Sequence, residues 1–139
     1  MERFARRTSV NRANVYGANM RRLIFAAIIL AAAAPAQAAE RRCGWLSNPT
    51  PANWSLIDRP GEWLMGVQGG YQMPDKSWDK ISEVPDSRWV KTNVNYGYGC
   101  ACMTVRSQRS TMRILEVIAA KWMPLRQCRG DRRLPRVPE

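Results

Sequence analysis

Four cysteines are the residues best suited to chemistry in this 139-residue chain: Cys43, Cys100, Cys102 and Cys128. Cys100 and Cys102 stand one alanine apart. That spacing fits a redox dithiol, or a soft-metal site for copper(I) helped by Met103, Met65 or Met73. The chain has no histidine, which excludes a Ser-His or Cys-His nucleophile and any histidine-based metal centre. Asp58, Glu62, Asp75 and Asp79 are candidates for a carboxylate acid–base pair. Scattered in turn-like segments, they read instead as solvated turn residues. No catalytic constellation emerges, so the chain reads as a non-enzyme, and no cofactor is expected.

An even cysteine count in a short chain fits two disulfides in an oxidising compartment. On a strand, Cys100 and Cys102 point to one face. A bond between them would close a very small ring against disulfide geometry. Cys43 and Cys128 therefore take one each, and which takes which stays open. On this reading the thiols are structural, and methionines at alternating positions are core filler.

The aromatic residues offer a second chemistry. There are six tryptophans and only two phenylalanines, and no phenylalanine follows residue 38. Several indoles must replace Phe and Leu in a thin core. Tyr96 and Tyr98, in the run Asn95-Tyr96-Gly97-Tyr98-Gly99, share one side if the segment is extended. With Asn93 and Asn95 as hydrogen-bonding neighbours, they form a candidate ligand-binding loop whose rings stack on sugars or on a partner protein.

The elements that position these residues read as mainly β. Glu62–Gln68 alternates as a strand, Gly69-Gly70 turns the chain, and Tyr71–Met73 returns. Pro74–Ser87 reads as loop with one helical turn around Trp78. Arg88–Val94 is a strand, and Asn95–Gly99 a loop or bulge because two glycines weaken regular pairing. Cys100–Arg106 and Met112–Ala120 form a hairpin across Ser107-Gln108-Arg109-Ser110, with Ile114, Val117 and Ile118 favouring strand over helix. Asn48-Pro49-Thr50-Pro51-Ala52-Asn53 cannot be helical and reads as an extended or turning loop. The expected fold is a small antiparallel sheet of four to five strands with long loops, curling towards a barrel and stapled by two disulfides, behind a helical signal segment.

That signal segment starts at Arg21-Arg22 and runs through Leu23–Leu30 and four alanines to Pro35-Ala36-Gln37-Ala38. It carries the cationic, apolar and small-residue parts of a cleavable export signal, with cleavage near Ala38. Its apolar run falls short of the ~20 residues of a spanning helix. Residues 1–19 form a basic leader, or precede a true start at Met20. The formal charge is +11. Residues 1–38 hold six arginines and one glutamate, which leaves +6 on residues 39–139. This moderate excess does not point to a nucleic acid. Arg109, Arg113, Arg126, Arg129, Arg132, Arg133 and Arg136 concentrate it near the C-terminus, where anionic lipid head groups or lipopolysaccharide are possible contacts. Residues 39–131 form the stapled β domain, and 132–139 a basic flexible tail.

The order of motifs resembles a family of small exported bacterial proteins known as a domain of unknown function. The resemblance rests on Arg42-Cys43-Gly44-Trp45, Asn48-Pro49-Thr50-Pro51-Ala52-Asn53, Gln68-Gly69-Gly70-Tyr71, Trp89-Val90-Lys91-Thr92-Asn93, Tyr96-Gly97-Tyr98-Gly99-Cys100-Ala101-Cys102, Pro124-Leu125 and Cys128-Arg129. It covers residues 42–131 and implies a bacterial, periplasmic protein framed by its four cysteines. It brings no activity. The expected function is a periplasmic or secreted binding module for a cell-wall glycan or another envelope component. The alternatives are a protein-binding inhibitor of a hydrolase and a thiol-redox or copper(I) protein acting through Cys100 and Cys102.

Overall fold

The computed structural model describes residues 37–81 and 83–136. The basic leader and the signal helix up to residue 36 lie outside the described residues. Six strands follow in order: β1 (Glu40–Thr50), β2 (Asn53–Asp58), β3 (Gly61–Gly66), β4 (Trp89–Asn93), β5 (Tyr96–Gln108) and β6 (Arg113–Met123). Helix α1 (Asp75–Trp78) lies between β3 and β4, and α2 (Leu125–Gly130) follows β6.

The strands form one sheet in the order β1-β2-β3-β6-β5-β4, and β1 also pairs with β5. That extra pairing closes β1-β2-β3-β6-β5 into a ring, with β4 attached outside it. Ring closure with a β3–β6 parallel contact at Leu64 and Arg113 is the connectivity of a five-stranded OB-type barrel. The mainly β fold and both staples agree with expectation. The count is six strands, not four to five, and one pairing is parallel. Only a ring that returns β6 to β3 makes a parallel neighbour, and no local pattern announces it.

Two further segments differ from the sequence reading. The Pro-rich stretch is mostly strand: β1 runs through Thr50, and the turn shrinks to Pro51-Ala52, where Ala52 has φ 58°. Pro49 sits within the register shift between Ser47 and Thr50, where a missing N–H costs no ladder bond. Tyr96–Gly99 is the start of β5 rather than a loop. Its glycines serve close approach. A Cβ on Gly97 would lie 1.8 Å from the Val90 carbonyl oxygen, and one on Gly99 2.8 Å from the Trp122 ring.

Side chains alternate across the barrel wall. Leu46, Leu56, Trp63, Met65, Met103, Val105, Ile114 and Val117 fill the interior. Ser77 of α1 is fully buried, and its hydroxyl oxygen accepts a hydrogen bond from the Val117 N–H at 3.1 Å. This ties α1 to β6 at the position where Val117 stands opposite Val105. At one end the guanidinium of Arg42 lies 3.5 Å over the Trp63 ring and donates to Asp58 at 2.6 Å, while the Trp63 indole N–H donates to the other Asp58 oxygen at 2.8 Å.

The outer wall carries the sulfurs. Cys43 stands directly opposite Cys102 and is bonded to it. Cys100 bonds Cys128 and so ties α2 to β5. The bridges span sequence separations of 59 and 28, worth about 4 and about 3–4 kcal/mol on a chain-entropy account. Trp45, Ile57, Cys100 and Cys128 form a second buried cluster, with Tyr98, Met123, Leu125 and Leu134 packed on it. Leu134 draws residues 132–136, expected as a flexible tail, back onto the domain.

Candidate functional site

The indoles gather at one mouth of the barrel. Trp54 opens β2 and Trp89 opens β4. Their rings lie 6.0 Å apart at 39°. Trp78 extends the row on one side, 5.9 Å from Trp54, and Trp122 on the other, 6.0 Å from Trp89 and edge-on. Gly99 makes this possible, because its bare Cα lets Trp89 and Trp122 approach the same strand position. The Trp89 indole N–H donates to the Asn95 carbonyl at 3.2 Å, and Arg88 holds the Trp122 carbonyl.

Trp54 and Trp89 line a groove of about 270 Å³, also walled by Asn48, Asp86, Lys91 and Asn95. Asn48 is nearly buried. With its nitrogen turned inward, its amide donates to the Thr50 and Asn53 carbonyls at 2.6 and 3.1 Å. Lys91 and Asp86 face each other at 3.7 Å across the exposed rim. The arrangement offers flat apolar faces beside amides and one charge of each sign, with all four indoles half-buried.

Of the four residues expected to bind ligand, Asn93 and Tyr96 are register partners across the β4–β5 turn, next to Asn95. Asn95 lines this groove from the β4–β5 turn. Tyr98 stands elsewhere, edge-on to Trp45 with ring centres 5.4 Å apart, in the wall of a separate cleft of about 590 Å³. Tyr96 is half-buried on β5 and Asn93 is exposed on β4, and neither belongs to these two linings. Sequence reasoning missed Trp54 and Trp89. Their signal was the tryptophan excess, with Trp54 just after the Pro-rich turn. β2 reaches β4 only through the pairings β1–β2, β1–β5 and β4–β5, which leave no local trace.

The other chemistries are placed as follows. All four cysteines are in disulfides. Met65, Met73 and Met103 lie in the interior cluster, on the opposite side of the wall from Cys100 and Cys102. Asp58 spends both oxygens on Arg42 and Trp63, while Glu62, Asp75 and Asp79 are exposed. For Glu40, burial pushes the carboxyl up, but hydrogen bonds from Ser107 and Arg42 outweigh it and hold it below the usual range.

A family model described as a protein of unknown function, DUF4087, matches residues 37–135. The chain belongs to that family. The match takes in every described strand and both bridges, from β1 to the segment after α2. No curated protein and no solved structure matches the chain. The two disulfides are compatible with a periplasmic or extracellular location.

Proposed function

We propose that this domain is a non-catalytic binding module of the cell envelope, and that its ligand is a glycan held in the groove lined by Trp54 and Trp89. The observation that carries the reading is the tilted indole pair, 6.0 Å apart, in a groove also lined by Asn48 and Asn95. Sugar rings present C–H faces that rest on indoles and hydroxyls that pair with amides. A concave site with apolar walls and a few polar groups is the usual form of a small-ligand pocket. The rings are held by Gly99 and by their neighbours, so little order is lost on binding.

The reading moves the aromatic platform from Tyr96 and Tyr98 to Trp54 and Trp89, and keeps Asn95. Titration of the purified, oxidised protein with soluble peptidoglycan fragments and neutral oligosaccharides, followed by tryptophan fluorescence, tests it. Binding should be weakened by Asn95→Ala and abolished by Trp89→Ala, with thermal unfolding run as a control for folding. Saturable binding that both variants leave intact would remove the basis for this site.

A further inference from the structure

A cleft of about 590 Å³ lies on the outer wall away from the tryptophan groove. Its floor is Trp45, Tyr98 and Cys128, and its rim is Arg129, Arg132 and Arg136. The tail is folded to make that rim: Leu134 packs on the Trp45 cluster, and its N–H donates to the Asp131 carbonyl at 3.0 Å.

Charge is what distinguishes this cleft. Its one carboxylate, Asp131, is already committed. It accepts from Arg59 at 3.0 Å, and from the Arg133 backbone N–H and Nε at 3.1 and 3.2 Å. Arg129, Arg132 and Arg136 have no carboxylate partner among the described residues. Three cations held near one another repel, and an anion between them relieves that cost. Guanidinium groups present paired N–H donors matched to phosphate and carboxylate oxygens. Half-buried Tyr98, edge-on to the buried Trp45, adds an apolar surface beside them for a sugar ring to cover.

We infer that this cleft is a second binding site, selective for a phosphorylated saccharide, with Arg129, Arg132 and Arg136 on the phosphate and Tyr98 under the sugar. The phosphate anchors and the ring orients, so neither inorganic phosphate nor a neutral sugar satisfies the whole cleft. The site is independent of the glycan groove, because it shares no lining residue with it.

Calorimetry on the purified, oxidised protein decides the matter with four probes: N-acetylglucosamine 1-phosphate, N-acetylglucosamine, inorganic phosphate, and vesicles containing phosphatidylglycerol. The phosphosugar should bind at least tenfold more tightly than N-acetylglucosamine or phosphate. Arg132→Ala with Arg136→Ala should weaken it about tenfold or more, the loss expected for charge-assisted hydrogen bonds. Both arginines are exposed, so the variant folds, and its glycan binding at the tryptophan groove should be unchanged. Equal affinity for N-acetylglucosamine and its phosphate, an unaffected double variant, or binding to vesicles alone would each overturn the inference. The last result would assign the arginines to a lipid surface.

Discussion

Arg42 and Asp58 form an ion pair at 2.6 Å with side chains only 4% and 7% exposed, in the end of the barrel. The pair is closed by Trp63, which stacks under the guanidinium and donates to the carboxylate. Removing Arg42 leaves the Asp58 carboxylate buried with only the Trp63 N–H, whereas removing Asp58 leaves Arg42 still paired with Glu40 at 2.8 Å. Arg42→Met should therefore lower stability by about 3–5 kcal/mol, read as a shift in the denaturant midpoint. Replacing both, as Arg42→Met with Asp58→Leu, should cost clearly less than the single change. Equal losses would mean that the pair does not act as a unit.

The glycines of Tyr96-Gly97-Tyr98-Gly99 should tolerate no side chain. Gly97→Ala puts a methyl group where the Val90 carbonyl already stands and must push β4 outward. A loss of roughly 1–3 kcal/mol is expected, as for overpacking elsewhere. Since β4 carries Trp89, glycan affinity should fall with it. Gly69→Ala is the control: a Cβ there meets nothing within 4 Å, but φ is 74°, so it tests backbone strain alone.

The two bridges should differ in reactivity. Cys43 is exposed and Cys102 half-buried, while Cys100 and Cys128 are 3% and 5% exposed. Attack by a thiolate requires access to a sulfur. Graded dithiothreitol followed by alkylation and mass spectrometry should label Cys43 and Cys102 first, with the strand spectrum intact. Loss of Cys100–Cys128 should need conditions that unfold the domain. Simultaneous labelling of all four would contradict this order.

Acid should loosen the segment after α2. The Arg133 backbone N–H, followed by the Arg59 side chain, holds the Asp131 carboxyl at about 2, against an ordinary 3.8. A lowered native value means that this group stabilises the fold above pH 3.8 and that the contribution is lost as pH falls from 3.8 towards 2. Lys76 and then Arg106 lower Glu116 in the same sense. Stability measured from pH 5 to pH 2 should fall, and Asp131→Asn should flatten the lower part of that curve.

The sequence made some of this legible. β5 and β6 carry β-branched and alternating residues around a polar turn, so their hairpin was readable from local pattern alone. The single helical turn near Trp78 and the strand at Trp89 were equally local. The end of β1 and the start of β2 were hidden because Pro49, Pro51 and Asn53 are turn-like by type, yet Pro49 falls within a register shift that needs no donor there. The glycines at 97 and 99 were read as weakness when they provide clearance. The indole groove was least visible, since Trp54 and Trp89 meet only after the ring closes. α2 is too short, at six residues, to announce itself by periodicity.

The interleaving of the bridges bears on how this protein is made. A polypeptide appearing N-terminus first offers Cys43 nothing until Cys100 emerges, and that first available sulfur is the wrong one. The proper mate arrives two residues later, and the final sulfur only near the end of synthesis. What steers Cys43 past the earlier sulfur is strand register, because pairing of β1 with β5 sets it directly opposite Cys102.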